Sequence, residues 1–204
     1  MSRPSPITGK GASTREAILA RAYALACMQG LEGLTIGRVA EQVGMSKSGV
    51  FAHFGSREEL QLATLDLGGE LFMRDVLVPA LKEKRGLARL RAIFANWTEW
   101  VRHEDEGGCL FLAAASEYDD RPGAIRDRVL QQESSWREQL ARAAQMAVEG
   151  GEFAADTEPE QFAFELYAIA LAVHHDAGLT GYASAAARGF RAFERLVRSY
   201  APSP

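Results

Sequence analysis

The chain shows helical periodicity along most of its length, and no stretch alternates polar and apolar residues with a period of two. Ala, Leu, Glu and Arg dominate the 204 residues, while β-branched residues are sparse. This composition favours helices over strands. Between residues 87 and 103 the apolar side chains recur at steps of three and four, as on the buried face of an amphipathic helix. We therefore predict an all-α protein of about nine helices.

Capping residues divide the N-terminal part of the chain into four predicted helices. The capping box at residues 13–16 begins the first helix. Thr35 and Ser46 are suitable N-caps for a second and a third helix, and Gly44 ends the second. A further capping box at residues 56–59 begins a long fourth helix.

Glycine and proline breaks separate five more predicted helices in the rest of the chain. Thr157 with Glu160 is expected to cap the eighth helix, which should end near Ala177. Residues 1–12 are rich in Pro, Ser and Gly and are predicted to form a flexible arm. The remaining predicted helices cover residues 87–103, 109–118, 124–149 and 182–200.

Charge is distributed unevenly, although the net charge is only −4. Residues 1–57 contain seven Lys or Arg against three acids, and the rest of the chain is acidic. A basic N-terminal part can approach phosphates, although many enzymes show a similar asymmetry by chance. The sequence shows no secretory signal and no apolar run of the roughly 18 residues that a membrane helix needs. With only two cysteines, a cytoplasmic protein is expected.

The most informative segment is 36–54, IGRVAEQVGMSKSGVFAHF. A helix-turn-helix needs a small residue where its helices cross, a residue that tolerates positive φ in the turn, and an apolar residue that fixes the second helix. Ala40, Gly44 and Val50 meet these needs at the required spacing. Any closely packed pair of helices can carry the same three residues, so the spacing alone leaves the function open. The second helix begins with Ser46, Lys47 and Ser48, which are suited to a major groove.

Residues 15–60, about a quarter of the chain, resemble the TetR/AcrR family of regulators, through the pattern "G…TI…VA…GMSKSGVFAHF.SREEL". The resemblance implies a DNA-binding domain at 13–60 and an effector-binding, dimerising domain at 61–204. It further implies a ligand-responsive regulator, most readily a repressor that a small hydrophobic effector releases from a palindromic DNA operator. No cofactor is expected, and no membrane contact.

The resemblance also implies roles for residues around the second and third helices. Thr35 and Ser46 would bind phosphates at helix N-termini, where the helix dipole favours an anion. Lys47 and Ser48 would face the groove. The remaining positions implied are Gly49, for close backbone approach, and Phe51, His53 and Arg57, for phosphate contacts.

Phe51 and Arg57 are unusual residues at their positions. The family often has Tyr where this chain has Phe51, and Phe cannot donate the hydroxyl hydrogen bond. Arg57 falls in the first turn of the fourth helix, where the dipole disfavours a cation, so an external phosphate would explain it.

Aromatic residues in the C-terminal domain are candidates for an effector pocket, because such pockets are mostly apolar and aromatic. Aromatics at helical spacing are also ordinary core, and both interpretations stay open. No cluster of Lys or Arg faces this aromatic stripe, which favours a neutral or weakly polar, hydrophobic effector over a phosphorylated metabolite. The candidates are Phe94, Trp97, Trp100, Phe111, Phe164, Tyr167 and His174.

The last two helices are expected to pair with those of a second copy as a four-helix bundle. Small residues would allow close approach and larger ones would fill the seam. The small residues are Ala168, Ala172, Ala183, Ala185, Ala186 and Gly189, and the larger ones are Phe190, Phe193 and Leu196.

Other chemistry finds little support. His174 and His175 are adjacent and project about 100° apart on a helix, so no metal site is expected. The acidic residues at 117–120 are read as a solvated helix end. No hydrolase, P-loop or dinucleotide motif occurs, so the protein is not expected to be an enzyme. The alternative is an all-α enzyme or small-molecule carrier with a purely structural N-terminal domain.

Overall fold

The computed structural model describes residues 14–102 and 109–202, and these are helical with no β-strand among them. The all-α prediction is confirmed. The predicted arm at 1–12 and the proposed cap Ser13 lie outside the described residues. No helix within the described ranges is both long and apolar enough to cross a membrane.

Nine principal helices follow one another along the described chain, as the sequence predicted. Their bounds are α1 Thr14–Gln29, α2 Ile36–Val43, α3 Lys47–Phe54, α4 Arg57–Phe72, α5 Leu87–Val101, α6 Leu110–Tyr118, α7 Ala124–Glu149, α8 Pro159–Thr180 and α9 Tyr182–Ser199.

Two features of the helices differ from the prediction. A π-helical turn, Met73–Leu77, and a short α-helical turn, Val78–Ala80, follow α4. Thr157 does not cap α8: the N-cap residue is Glu158, and the Thr157 hydroxyl is buried without a hydrogen-bond partner among the described residues. Pro159 at the first helical position fixes where α8 begins, since its φ suits a helix and it has no N–H to satisfy.

The chain forms two compact units. The first comprises the described residues of Met1–Leu71 and Asp105–Gln132, and therefore contains α1–α3, α4 as far as Leu71, α6 and residues 124–132 of α7. Its buried residues include Ile18, Leu34, Val50, Leu65 and Leu110. The functional division of the chain near residue 60 stays a prediction.

The second unit comprises the described residues of Phe72–Glu104 and Glu133–Pro204. It contains α5, the rest of α7, and the pair α8 and α9. Phe153, Phe162 and Phe193 are among its largest fully buried side chains. Phe153 and Phe162 have ring centroids 4.9 Å apart, so aromatic packing forms a substantial part of this core.

Candidate nucleic-acid interface

Helices α2 and α3 are joined by a tight turn with well-defined caps. The Thr35 hydroxyl accepts a hydrogen bond from the Arg38 N–H at 3.2 Å at the start of α2. Gly44 ends α2 with φ +66°, a left-handed conformation that only glycine adopts without penalty. The Met45 N–H then donates to the Ala40 carbonyl at 2.9 Å. The predicted caps at Thr35 and Gly44 are confirmed.

Packing fixes α3 against its neighbours. Val50 and Phe54 are buried on one side of α3, and Val39 and Ala40 are buried on α2. The second helix of the motif is thus fixed by apolar contacts, as the sequence indicated. The side of α3 away from Val50 and Phe54 is exposed in the described part of the chain, so another molecule could bind there.

The first turn of α3 is polar and exposed. The Ser46 hydroxyl accepts a hydrogen bond from the Gly49 N–H at 3.1 Å and lies 3.1 Å from the Ser48 hydroxyl. Ser46, Lys47 and Ser48 are all exposed. Because one of these two serine hydroxyls donates to the other, the proton of the second stays available for an acceptor such as a phosphate.

The Lys47 side chain lies along α2. A Cβ added to Gly37 would be 3.1 Å from Lys47 Cε, tighter than most real contacts of this kind. The absence of a side chain at Gly37 therefore leaves room for the lysine. The start of α3 is thus polar with one cation beside it, and its entry into a DNA groove stays a prediction.

Phe51 and His53 lie further along α3 and are both exposed. Phe51 exposes 53% of its surface. Its side chain has no polar group that could make the hydrogen bond of a tyrosine hydroxyl. Its contact with DNA stays a prediction, as does that of His53.

Arg57 has partners within the chain, which corrects the reason for expecting an external anion there. Its Nε donates to the Leu34 carbonyl at 2.9 Å, and its guanidinium also bonds the Glu32 carbonyl. The Glu32 carboxylate lies 3.3 Å from Arg57 Nη2. These partners explain a cation in the first turn of α4 without a phosphate.

Glu32 is the centre of a polar network that the sequence did not reveal. The Tyr118 hydroxyl donates to the Glu32 carboxylate at 2.7 Å, and Arg121 Nη1 lies 3.5 Å from the same carboxylate. The Glu117 carboxylate accepts from the Glu32 N–H at 3.0 Å. The end of α6 is thus tied to the turn before α2, although the sequence had suggested only a solvated helix end.

The network shifts two ionisation equilibria. The Tyr118 hydrogen bond, with the charges of Arg57 and Arg121, lowers the pKa of Glu32 despite partial desolvation. Burial, together with the hydrogen bond to Glu32, raises the pKa of Tyr118 to about 12. Near neutral pH the network therefore contains an ionised Glu32 and a neutral Tyr118.

Three of the predicted effector residues, Phe94, Trp97 and Trp100, are buried in the second unit. Phe94 stacks on Phe193 with ring centroids 4.7 Å apart, and Trp100 meets Phe72 edge-on at 5.7 Å. These contacts are those of a packed core. An effector role for the three stays a prediction.

The other candidates in the second unit lie on α8. Phe164 is 58% exposed and borders a groove of about 660 Å³ between α7 and α8. The Tyr167 hydroxyl donates to the Glu133 carboxylate at 2.6 Å, and burial raises the pKa of Tyr167. His174 is half-buried, and burial lowers its pKa, with a smaller contribution from His175.

Phe111 belongs to the first unit, where it packs close to Gly68. The structure therefore divides the seven candidates between the two units. Across the described ranges, no group of three or more His, Cys, Asp or Glu side chains is placed to hold a metal ion.

Comparison with known proteins assigns the chain to a family. Residues 18–64 match the family described as bacterial regulatory proteins, tetR family, and residues 86–193 match the tetracyclin repressor-like C-terminal domain. The second match alone covers more than half of the chain. None of the curated proteins matches the sequence significantly.

Solved structures share the fold. A TetR regulator from Chloroflexus aurantiacus is 26% identical, with a TM-score of 0.79 over 91% of this chain and 92% of that one. A TetR-family regulator from Streptomyces coelicolor is 18% identical, with a TM-score of 0.80 over 91% and 95%. AibR, solved with isovaleryl coenzyme A and operator DNA, is 22% identical, with a TM-score of 0.69 over 86% and 95%. On its helix-turn-helix, its all-helical architecture and these matches, the chain belongs to the TetR family of transcriptional regulators.

Proposed function

We propose that the protein is a cytoplasmic repressor whose homodimer binds a palindromic operator and is released from it by a small effector with an apolar body. The observation that carries the DNA-binding part is the first turn of α3. There Ser46, Lys47 and Ser48 are exposed on a helix that the buried Val50 and Phe54 fix in place. Such a terminus can enter a major groove and reach base edges.

Dimerisation through α8 and α9 is supported by an apolar face that the single chain leaves exposed. On α8 the exposed positions recur at helical spacing and include Leu171, 41% exposed, and Leu179, 71% exposed. Phe190 on α9 is 39% exposed. The exposed apolar side chains on the two helices include Phe164, Ala168, Leu171, Ala172, Leu179, Ala183 and Phe190.

The structure corrects part of the predicted seam. Ala185, Ala186, Gly189, Phe193 and Leu196 are buried inside the single chain. A Cβ on Gly189 would overlap Val173 of α8, so this glycine serves the contact between α8 and α9 of one subunit. Close approach to a second copy is therefore assigned to Ala168, Ala172 and Ala183 instead.

Effector control is the less direct part of the proposal. AibR was solved with both a ligand and operator DNA, and at 22% identity its likeness supports the fold alone. In this chain the support is the groove and the cavities of the second unit. An effector would act by binding more tightly to the conformation that does not bind DNA.

Selection from a pool of random DNA duplexes tests the proposal. Repeated rounds of capture by the purified protein should enrich an inverted repeat, because a two-fold symmetric dimer reads two related half-sites. The double variant Lys47→Ala, Ser48→Ala is the control and should enrich no sequence. Failure of the wild-type protein to enrich any motif contradicts the proposed function.

A further inference from the structure

The second unit contains a cavity of about 330 Å³ whose walls come from three stretches of the chain. Met73 and Leu77 belong to the π-helical turn after α4, Ile93 lies on α5, and Met146 lies on α7. Leu77 and Ile93 are buried, so part of the wall is fully apolar. The volume is near the lower limit for small-molecule pockets, roughly 300–1,000 Å³.

Three arginines line the same cavity. Arg85 lies two residues before the first residue of α5, Arg89 lies in its first turn, and Arg142 belongs to α7. Arg85 and Arg142 are exposed, and Arg89 is half-buried. Positive charge from two separate segments thus converges on one apolar cavity.

Within residues 14–102 and 109–202, no carboxylate forms an ion pair with any of these three guanidinium groups. By contrast, Arg91 of α5 is held by both oxygens of Glu194 at 2.9 Å. Arg89 donates instead to the backbone carbonyls of Leu81 at 3.4 Å and Glu83 at 3.1 Å.

Arg89 also retains an unused donor. Its Nε is buried and has no hydrogen-bond partner in the described part of the chain. A buried donor without an acceptor costs free energy, so an external acceptor at this point would be favourable.

The location increases the positive potential. Lys82 and Lys84 lie just before Arg85, at the N-terminal end of α5, where the helix dipole is also positive. Two acids offset part of this charge: Glu83, which lies between the two lysines, and Glu152, whose carboxylate accepts from the Leu87 N–H at 2.8 Å. An anion in the cavity would offset more of it.

We propose that this cavity binds a small amphipathic anion, with its apolar body against Leu77 and Ile93 and its carboxylate or phosphate end held by the three arginines. The planar guanidinium fork suits either oxyanion. This inference rests on the proposed function, in which the occupant is the effector. It replaces the neutral effector predicted from the aromatic stripe, because the arginines lie outside that stripe.

Calorimetric titration of the full chain without DNA tests the cavity with octanoate, octyl phosphate and octanol. The anions should bind at least about tenfold more tightly than octanol, because octanol offers no charge to the arginines. Arg85→Gln and Arg142→Gln, whose side chains are exposed, should each weaken anion binding at least about fivefold. Binding of one anion type alone also supports the inference and identifies the head group.

Arg91→Gln is the matched control, since it removes the same charge from α5 at a side chain paired with Glu194. It should leave anion binding unchanged. Octanol binding as tight as octanoate, or equal losses in Arg91→Gln and Arg142→Gln, overturns the site. The titration contains no DNA, so it decides the site even if the protein binds no operator. If the anions bind but leave operator affinity unchanged, the effector role alone is overturned.

Discussion

The hydroxyl of Tyr118 donates a 2.7 Å hydrogen bond to the carboxylate of Glu32, joining residues 86 positions apart in the chain. Tyr118 ends α6, and Glu32 lies in the turn that precedes α2. Gln61 of α4 bonds both the Leu31 carbonyl, at 2.7 Å, and the Tyr118 hydroxyl, at 3.3 Å. In the first unit the turn that leads into the helix-turn-helix is therefore anchored to α4 and to α6 by side-chain hydrogen bonds.

Tyr118→Phe should destabilise the protein by about 1 kcal/mol, because it removes a hydrogen bond to an ionised acceptor that water can partly replace. Urea denaturation measures the loss. Tyr200→Phe is the matched control, since the Tyr200 hydroxyl makes a longer, 3.3 Å bond to Glu165, and it should cost less. Equal losses of unfolding free energy in the two variants would show that the Tyr118–Glu32 hydrogen bond stabilises the protein no more than the Tyr200–Glu165 bond.

The same network predicts a pH dependence. Because the folded protein lowers the pKa of Glu32 below its ordinary value of 4.5, ionised Glu32 stabilises the fold above that pH. This stability is lost as the pH falls through the lowered pKa. The difference in unfolding free energy between wild type and Glu32→Gln should be constant near pH 7 and should shrink below about pH 4.5. A difference that grows on acidification contradicts the assignment.

Gly30→Ala should be more damaging than an ordinary glycine substitution. Gly30 has φ +76°, and an added Cβ would overlap the Glu117 carboxylate. Gly151→Ala is the control, since Gly151 has φ +69° with open space around the added Cβ. The control should cost about 1–2 kcal/mol from backbone strain alone. Gly30→Ala should exceed it in thermal or urea denaturation, and an equal cost would mean that Glu117 moves away freely.

Leu171→Glu should dissociate the proposed dimer, because it places a charge in the centre of the exposed apolar face of α8. Sedimentation velocity at micromolar concentration should show a dimer for the wild type and a monomer for the variant. Leu130→Glu is the control, since Leu130 on α7 is also exposed, at 53%, and lies outside that face. A monomeric wild-type protein would contradict the dimer proposal.

Local signals in the sequence predicted the caps at Thr35, Gly44 and Ser46, because each acts on backbone groups within three or four residues of itself. Thr157 shows the limit of such signals. It has the right chemistry for a cap, yet Pro159 fixes where α8 begins.

Contacts between distant segments were not predictable from one sequence. The partners of Arg57 are Glu32 and Leu34, in the turn before α2, and no local pattern connects them. The arginine-lined cavity likewise needs α7 to meet the start of α5. The one available signal was the basic run at 82–91, which composition alone does not place beside an apolar wall.

The central claim is that the exposed first turn of α3 reads DNA, and operator affinity of Lys47→Ala at several salt concentrations tests it most directly. Lys84→Ala, a lysine in the loop before α5, is the control. If Lys47 contacts a phosphate, its loss should weaken binding and reduce the slope of log K against log salt by about one. Contact with a base should weaken binding to the operator by about tenfold and relax its sequence preference. Affinity, slope and sequence preference identical to those of Lys84→Ala would contradict the account.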